Sequence, residues 1–326
     1  MKFFSIVIPI FNEDHYIRDL LESIFRIDYP ADKFEVVVVN DASTDQTAKI
    51  VREFPQVELI DLKVNVGRYA ARKIGAEAAK HPYVLFIDSR AVADSNILSV
   101  LDQLDEKTVI GRVLTVEKPG LFDTFYIAIR RIVFRKYYAM IRNPICLTKD
   151  NFDTLPKGTT VLYVQKEILF KAYKALGTVD IGKDSSDDIR LINQLVQFTD
   201  ALIHPDVKIT GLSRISFLVS VTHLIWRGGT FVDYYFHPAK RNFWLVIVIP
   251  LLAMLGICVG LIWFPASGAS KLVVLLGLDL TGTLLLARTL REFGVILFML
   301  PICVFTFYFG VVRGIYLKCR QIFRAK

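Results

Sequence analysis

The sequence predicts an α/β fold: a mainly parallel sheet covered by helices, followed by interfacial helices and C-terminal transmembrane helices. Three observations predict it. Short apolar, β-branched runs alternate with amphipathic stretches through residue 90. Polar residues fall directly after those runs. From Phe243 onward, apolar stretches dominate.

Phe4 to Ile10 reads as the first strand. His15 to Arg26 carries Ile17, Leu20, Leu21, Ile24 and Phe25 at helical spacing, which makes one buried face. Phe34 to Asn40 is almost continuously apolar, as a strand covered on both faces should be. Thr44 to Phe54 reads as a helix capped by Ser43 or Thr44. Val57 to Leu62 is a third strand, Arg68 to Lys80 an Ala-rich helix, and Tyr83 to Asp88 a fourth strand ending in a carboxylate. The β-α-β-α-β-α-β order argues for parallel pairing with helices on both sides.

Residues 120–142 read as one amphipathic helix. Phe122, Phe125, Ile129, Ile132, Val133 and Met140 share one side, and Arg131, Arg135 and Arg142 share another. The pattern suits a helix lying in a membrane interface and, equally, one packed on a sheet. Residues 213–242 form an interfacial segment that contains Trp226-Arg227-Gly228-Gly229. Residues 243–326 are the transmembrane region. Within it, 243–264 is uncharged and long enough to span, and 293–312 is a second candidate. Residues 272–288 are apolar but short and contain Asp279, so two and three spans both stand. Lys240 and Arg241, ahead of the first span, place that end in the cytosol.

The chain has 326 residues, room for one α/β domain over residues 1–212 and the elements that follow. Its hydrophobic content, 53%, is high for a wholly soluble protein. No cleavable leader is recognisable ahead of the first strand. The N-terminal domain is therefore expected on the cytosolic side of an inner, cytoplasmic membrane crossed more than once. Cys146, Cys258, Cys303 and Cys319 are widely spaced and support neither a disulfide framework nor a zinc site. The net charge of +8 suits anionic partners, and the apolar segments beside the basic clusters favour lipid and phosphate over nucleic acid.

Ligands of such sheets bind beyond the carboxyl ends of the strands. Asn12 and Glu13 follow the first strand, Asp41 and Ser43 the second, and Asn65 and Gly67 the third; Asp88 ends the fourth. Any one of these could be a helix cap or turn residue. Four strand ends in register argue for a shared site.

The segments Ser5-Ile-Val-Ile-Pro-Ile-Phe-Asn-Glu13, Val38-Val-Asn-Asp-Ala-Ser-Thr-Asp45, Asn65-Val-Gly-Arg-Tyr-Ala-Ala-Arg72 and Phe86-Ile-Asp88 resemble the family 2 glycosyltransferases of GT-A, Rossmann-like fold. The likeness partly returns at Ser186-Asp187-Asp188. The C-terminal spans are similar to those of membrane-anchored members that build polysaccharides or lipid-linked glycans. The resemblance implies an inverting transferase that moves a sugar from a nucleotide-sugar, a UDP-sugar foremost, to a polyprenyl-linked glycan, lipid or growing polysaccharide. It also implies roles. The loop from Pro9 through Asn12 to Glu13 passes along the nucleotide. Asp41 contacts base or ribose, with Ser43 beside it. Asn65, Gly67 and Arg72 complete the base and phosphate contacts. Asp88 marks the metal–diphosphate site, with Mg²⁺ or Mn²⁺ as cofactor. Asp188 is the general base, with Asp187 adjacent, although two aspartates also suit a helix N-terminus.

One departure stands out. The family usually carries Asp-x-Asp where this chain has Asp88-Ser89-Arg90. Three readings follow: a metal held by Asp88 and the phosphates, a diphosphate paired directly with Arg90, or a degenerate, inactive donor site in a membrane subunit that binds a glycan or partner. Arg227 suits either the diphosphate or acceptor of a membrane transferase or a lipid headgroup.

Overall fold

The computed structural model describes residues 1–114, 119–177, 186–213, 216–235 and 268–324, with isolated positions between 248 and 263. It divides into two compact units. One comprises Met1–Glu117, Lys136–Lys183 and Asp187–Ser213; the other comprises Lys118–Arg135, Asp184–Ser186 and Arg214–Lys326.

In chain order the elements are β1 (Phe4–Ile10), α1 (Ile17–Ile24), β2 (Phe34–Asn40), α2 (Thr47–Val51), β3 (Val57–Asp61), α3 (Arg68–Ala78), β4 (Tyr83–Ile87), β5 (Ala91–Ala93), α4 (Ile97–Gln103) and β6 (Thr108–Leu114). There follow α5 (Leu121–Val133), α6 (Arg135–Ala139), β7 (Ile145–Leu147), β8 (Val161–Gln165), α7 (Lys166–Leu176), α8 (Asp187–Leu195), β9 (Ala201–Gly211), α9 (Phe217–Tyr235), α10 (Gly268–Leu286) and α11 (Leu290–Arg324).

All strands of the first unit join one sheet in the order β3-β2-β1-β4-β8-β6-β9-β5, with β7 paired to β9. The first four strands are parallel, as the alternating pattern predicts. Beyond β4 the sheet is mixed: β8 runs antiparallel to both β4 and β6. This reversal brings the start of β8 beside the end of β4, where the Asp88 N–H donates to the Thr160 carbonyl at 3.0 Å. Every residue of β1 and Val36 to Val39 of β2 are buried, which explains their unbroken apolar sequence. On one side Ile17, Leu20, Leu21 and Ile24 of α1 seal the sheet. On the other, α3 lies so close that a Cβ on Gly75 would overlap Val7. The sheet thus dictates the position of α3, the helix that carries the arginines of the site.

One helix begins later than its spacing predicts. The sequence reading starts it at Thr44, whereas α2 starts at Thr47. The Ser43 hydroxyl instead accepts from the Asn12 N–H at 2.9 Å, and Asp45 accepts from the Thr47 N–H at 2.9 Å. The capping groups are spent on bracing two loops together.

The second unit is helical in its described residues. The single helix expected over 120–142 is two, broken at Phe134 (φ −109°, ψ 40°). Phe125 and Ala128 of α5 pack with Leu224, Ile296, Met299 and Cys303, whereas Ile132, Val133 and Met140 are exposed. Trp226-Arg227-Gly228-Gly229 lies inside α9. Its glycines permit close approach to α11: a Cβ on Gly228 would overlap the Phe307 carbonyl, and one on Gly310 the Ile225 carbonyl.

Among the described residues one helix is long and apolar enough to cross a membrane, Leu290–Arg320 within α11. It contains the expected span 293–312. Phe298, Phe305, Phe309 and Val312 stand exposed on it. The expected segment 272–288 falls largely within α10, whose apolar part, Val274–Leu286, is shorter. The expected span 243–264 lies almost entirely outside the described residues, as does Asp184.

Candidate functional site

The site is built from the carboxyl ends of β1, β2 and β4, the N-termini of α3 and α8, and the start of β8. Its first layer is a set of braced loops. Asn12, at φ 54°, donates its N–H to the Ser43 Oγ at 2.9 Å, and its side-chain oxygen accepts from the Thr44 N–H at 2.8 Å. The Glu13 N–H donates to the Thr47 Oγ1 at 2.8 Å. Pro9 lies within β1, in register with Val39.

Asp41 clasps the third loop. Its two carboxylate oxygens accept from the Val66 N–H at 2.6 Å and the Gly67 N–H at 2.9 Å. Asn65 donates to the Asp41 carbonyl at 3.0 Å. Gly67 has φ 89°, a conformation that favours glycine, and it leads directly into α3. Asp41 therefore fixes where α3 starts.

Arg68 and Arg72 are one turn apart on α3 and so share a face. Arg72 is 1% exposed. It donates to Asp88 at 2.7 Å, to Asp188 at 2.8 Å and to Asp187 at 3.2 Å. Arg68, with 38% of its side chain exposed, grips both oxygens of Asp187 at 2.7 and 3.2 Å and lies 3.5 Å from Asp188. The Thr159 hydroxyl donates to Asp188 at 2.6 Å. Two guanidiniums thus join three carboxylates from β4 and α8. Buried charges of this kind persist only when paired and hydrogen-bonded.

The electrostatics follow from the geometry. Burial by itself would raise the Asp188 carboxyl. Arg68 and Arg72 outweigh it, and with the Thr159 hydroxyl they hold Asp188 well below the usual carboxylate range. Burial would likewise lower both arginines, but the facing aspartates keep them raised and charged.

Arg90 faces a different loop: its Nε lies 3.9 Å from a Glu13 carboxylate oxygen. Asp88 is the single carboxylate at the end of β4, and one of its oxygens accepts from Arg72. Among the described residues no group of three or more His, Cys, Asp or Glu side chains is placed to hold a cation. A divalent ion at Asp88 would draw most of its ligands from a bound diphosphate.

The order of strands, the carboxylates at their ends and the clasped loops can be compared with known proteins. The pattern of Glycosyl transferase family 2 matches residues 5–164. Through those residues the chain belongs to glycosyl transferase family 2. Within the family, it is 39% identical over 93 residues to the poly(ribitol-phosphate) β-N-acetylglucosaminyltransferase TarS of Staphylococcus aureus, covering 27% of this chain and 16% of TarS. It is 36% identical over 193 residues to the glycosyltransferase GlyA of Streptococcus pneumoniae, covering 56% of this chain and 26% of GlyA. The matched stretches are thus well under half the length of these relatives. Solved structures share the fold. TarS 1–349 in complex with UDP-GlcNAc superposes with a TM-score of 0.52 at 18% identity, covering 77% of this chain and 78% of that one. The mannosyltransferase PcManGT from Pyrobaculum calidifontis, in complex with GDP-Man and Mn²⁺, superposes with a TM-score of 0.65 at 17% identity, covering 97% and 88%.

In this family 2 domain the structure brings together Asp88, Asp187, Asp188 and Arg72, then Asp41 with Asn65 and Gly67, then Asn12 with Ser43, and Glu13 with Arg90. Arg227 belongs to the second unit, where its Nη1 donates to the Tyr126 hydroxyl at 2.7 Å. Two site residues escaped the sequence reading. Arg68 was legible in principle, one turn ahead of Arg72 and directly after Gly67. Thr159 was not, because only the antiparallel entry of β8 brings it to Asp188.

Proposed function

We propose that the chain is an inverting glycosyltransferase that moves a sugar from a nucleotide-sugar, a UDP-sugar, to a membrane-associated acceptor: a polyprenyl-linked glycan, a lipid or a growing polysaccharide. One observation carries the reading. Arg72 joins Asp88, at the end of the fourth strand, to Asp187 and Asp188, at the start of α8. Charge for a leaving diphosphate and a carboxylate for an incoming hydroxyl therefore lie within one cluster.

In this reading the loops around Pro9, Asn12, Glu13, Asp41, Ser43, Asn65 and Gly67 hold the nucleotide. Asp41 does so partly by shaping the loop that carries Val66 and Gly67. Arg68, Arg72 and Arg90 face the diphosphate. Mg²⁺ or Mn²⁺ bound at Asp88 together with the phosphates would neutralise further leaving-group charge. Asp188 takes the acceptor's proton. While Arg68, Arg72 and Thr159 surround it, Asp188 is ionised but weakly basic. An arriving diphosphate competes with Asp187 for Arg68, the more accessible arginine, and that exchange frees Asp188 for proton transfer. Displacement by the activated hydroxyl opposite the diphosphate gives inversion without a covalent sugar–enzyme intermediate. The domain is set in the cytosol and held to a multi-pass membrane region. The apolar α11 and the basic pair Lys240 and Arg241 support that arrangement.

The test is a panel of nucleotide-sugars on the detergent-purified full chain, followed by nucleotide release when membrane extract is added. One donor should bind and turn over. Asp188→Asn should still bind that donor but release nothing. Full turnover by Asp188→Asn, or a complete panel with no binding, rejects the reading.

A further inference from the structure

The second unit holds a pair of cations that the transferase reading does not use. Arg227 of α9 donates to the Tyr126 hydroxyl at 2.7 Å, and its guanidinium carbon is 5.2 Å from the centre of that ring. Arg130 of α5 approaches the same ring at 5.6 Å. Phe122 stacks on Tyr126 at 6.0 Å and 9°. Burial alone would raise the Tyr126 phenol, but Arg227 and Arg130 together draw it below its ordinary value.

The neighbouring arginines show what an ordinary structural role looks like here. Arg131 is paired with Glu292 at 2.9 Å, and Arg291 donates to the Pro119 carbonyl at 3.1 Å. Among the described residues neither Arg130 nor Arg227 has a carboxylate partner. Two guanidiniums converging on one phenol, with nothing anionic between them, make a site short of two negative charges. The same helices expose apolar side chains: Leu121, Ile132 and Val133 on α5, and Phe217, Leu218 and Val219 on α9. Cations beside exposed apolar side chains on amphipathic helices are the arrangement of a membrane-surface site.

We propose that Arg130, Arg227 and the Tyr126 hydroxyl bind the phosphate monoester headgroup of a lipid. This assignment rests on the proposed membrane-bound acceptor and names its anchoring group. The charges decide the class. A phosphate monoester carries about −1.5 to −2 at pH 7, its second pKa being about 6, and so balances two guanidiniums. A phosphodiester carries one charge and would leave one arginine unmatched. The guanidinium fork also suits phosphate oxygens in pairs, which an ammonium does not.

The experiment uses the full chain in neutral detergent with no nucleotide present, so its outcome is independent of donor turnover. The intrinsic fluorescence of Trp226, next to Arg227, is followed on titration with farnesyl phosphate, farnesol, phosphatidylglycerol and inorganic phosphate. Farnesyl phosphate should bind saturably, and at least about tenfold more tightly than the other three. Its affinity should fall as pH drops through about 6, where the monoester loses its second charge. Arg130→Lys/Arg227→Lys keeps the net charge and removes the fork. With an unchanged melting temperature, it should lose at least about tenfold in affinity. Equal binding of inorganic phosphate would mark a free-phosphate site. Equal binding of phosphatidylglycerol, or undiminished binding by the double lysine variant, would mark general attraction to anionic lipid. Either result, or no saturable binding of farnesyl phosphate, overturns the proposal.

Discussion

Asp188 and Arg72 are individually unremarkable in sequence and inseparable in space. Arg72 is enclosed by three carboxylates, so removing it leaves buried negative charge unpaired. Arg72→Met is expected to destabilise the fold by about 3–5 kcal/mol, read by denaturant titration. Asp188→Asn should lower kcat by about 10²–10⁴-fold. The pH dependence has a definite sign. Asp188 is held low, so the activity of the free enzyme should persist to pH values below the ordinary Asp pKa of about 3.9. Arg68→Gln removes one of the cations responsible. The acidic limb of its kcat/KM profile should therefore move upward, with a raised donor KM. The same shift is a stability term. It is fully present above about pH 3.9 and is lost as the pH falls through the lower native value. Arg90→Ala is expected to reduce turnover on the order of a hundredfold, with a larger relative loss in EDTA than in Mn²⁺. An equal loss in both would show that guanidinium and cation do not share the leaving charge. Most of these residues were legible because each stands at a strand end, where a polar side chain in apolar surroundings needs a reason. Thr159 was not, since no local pattern distinguishes it.

At the scale of elements, period and turn chemistry located the first four strands and three helices, because buried strands and one-sided helices leave strong patterns. Helix ends were less legible. Ser43 has a good capping side chain, but Asn12 claims it, and α2 starts at Thr47 instead. The break at Phe134 was also hidden: apolar residues continue at helical spacing through Met140 although the helix does not. Gly228 and Gly229 read as part of a basic motif, yet what they supply is proximity between α9 and α11. Gly310→Leu should therefore separate those helices and lower the melting temperature by several degrees, whereas Gly294→Leu, with open space at its Cβ, should change it little.

For the whole molecule, the decisive asymmetry is between a well-covered sheet and helices that expose their apolar faces. Phe298, Phe305 and Phe309 have no protein cover in the described residues. The full chain is expected to stay with the membrane fraction in 1 M salt, where charge attraction is screened to about 3 Å, and to be released by detergent. Release by salt alone would point to electrostatic attachment. The reversal of the sheet beyond β4 bears on how this enzyme could be redesigned. Since a single guanidinium ties the tip of one strand to the first turn of a helix about a hundred residues later, donor-side and acceptor-side changes are not separate projects. Any grafted loop that shifts Asp88 would drag Asp187 and Asp188 with it, and sugar preference and proton transfer would have to be reselected together.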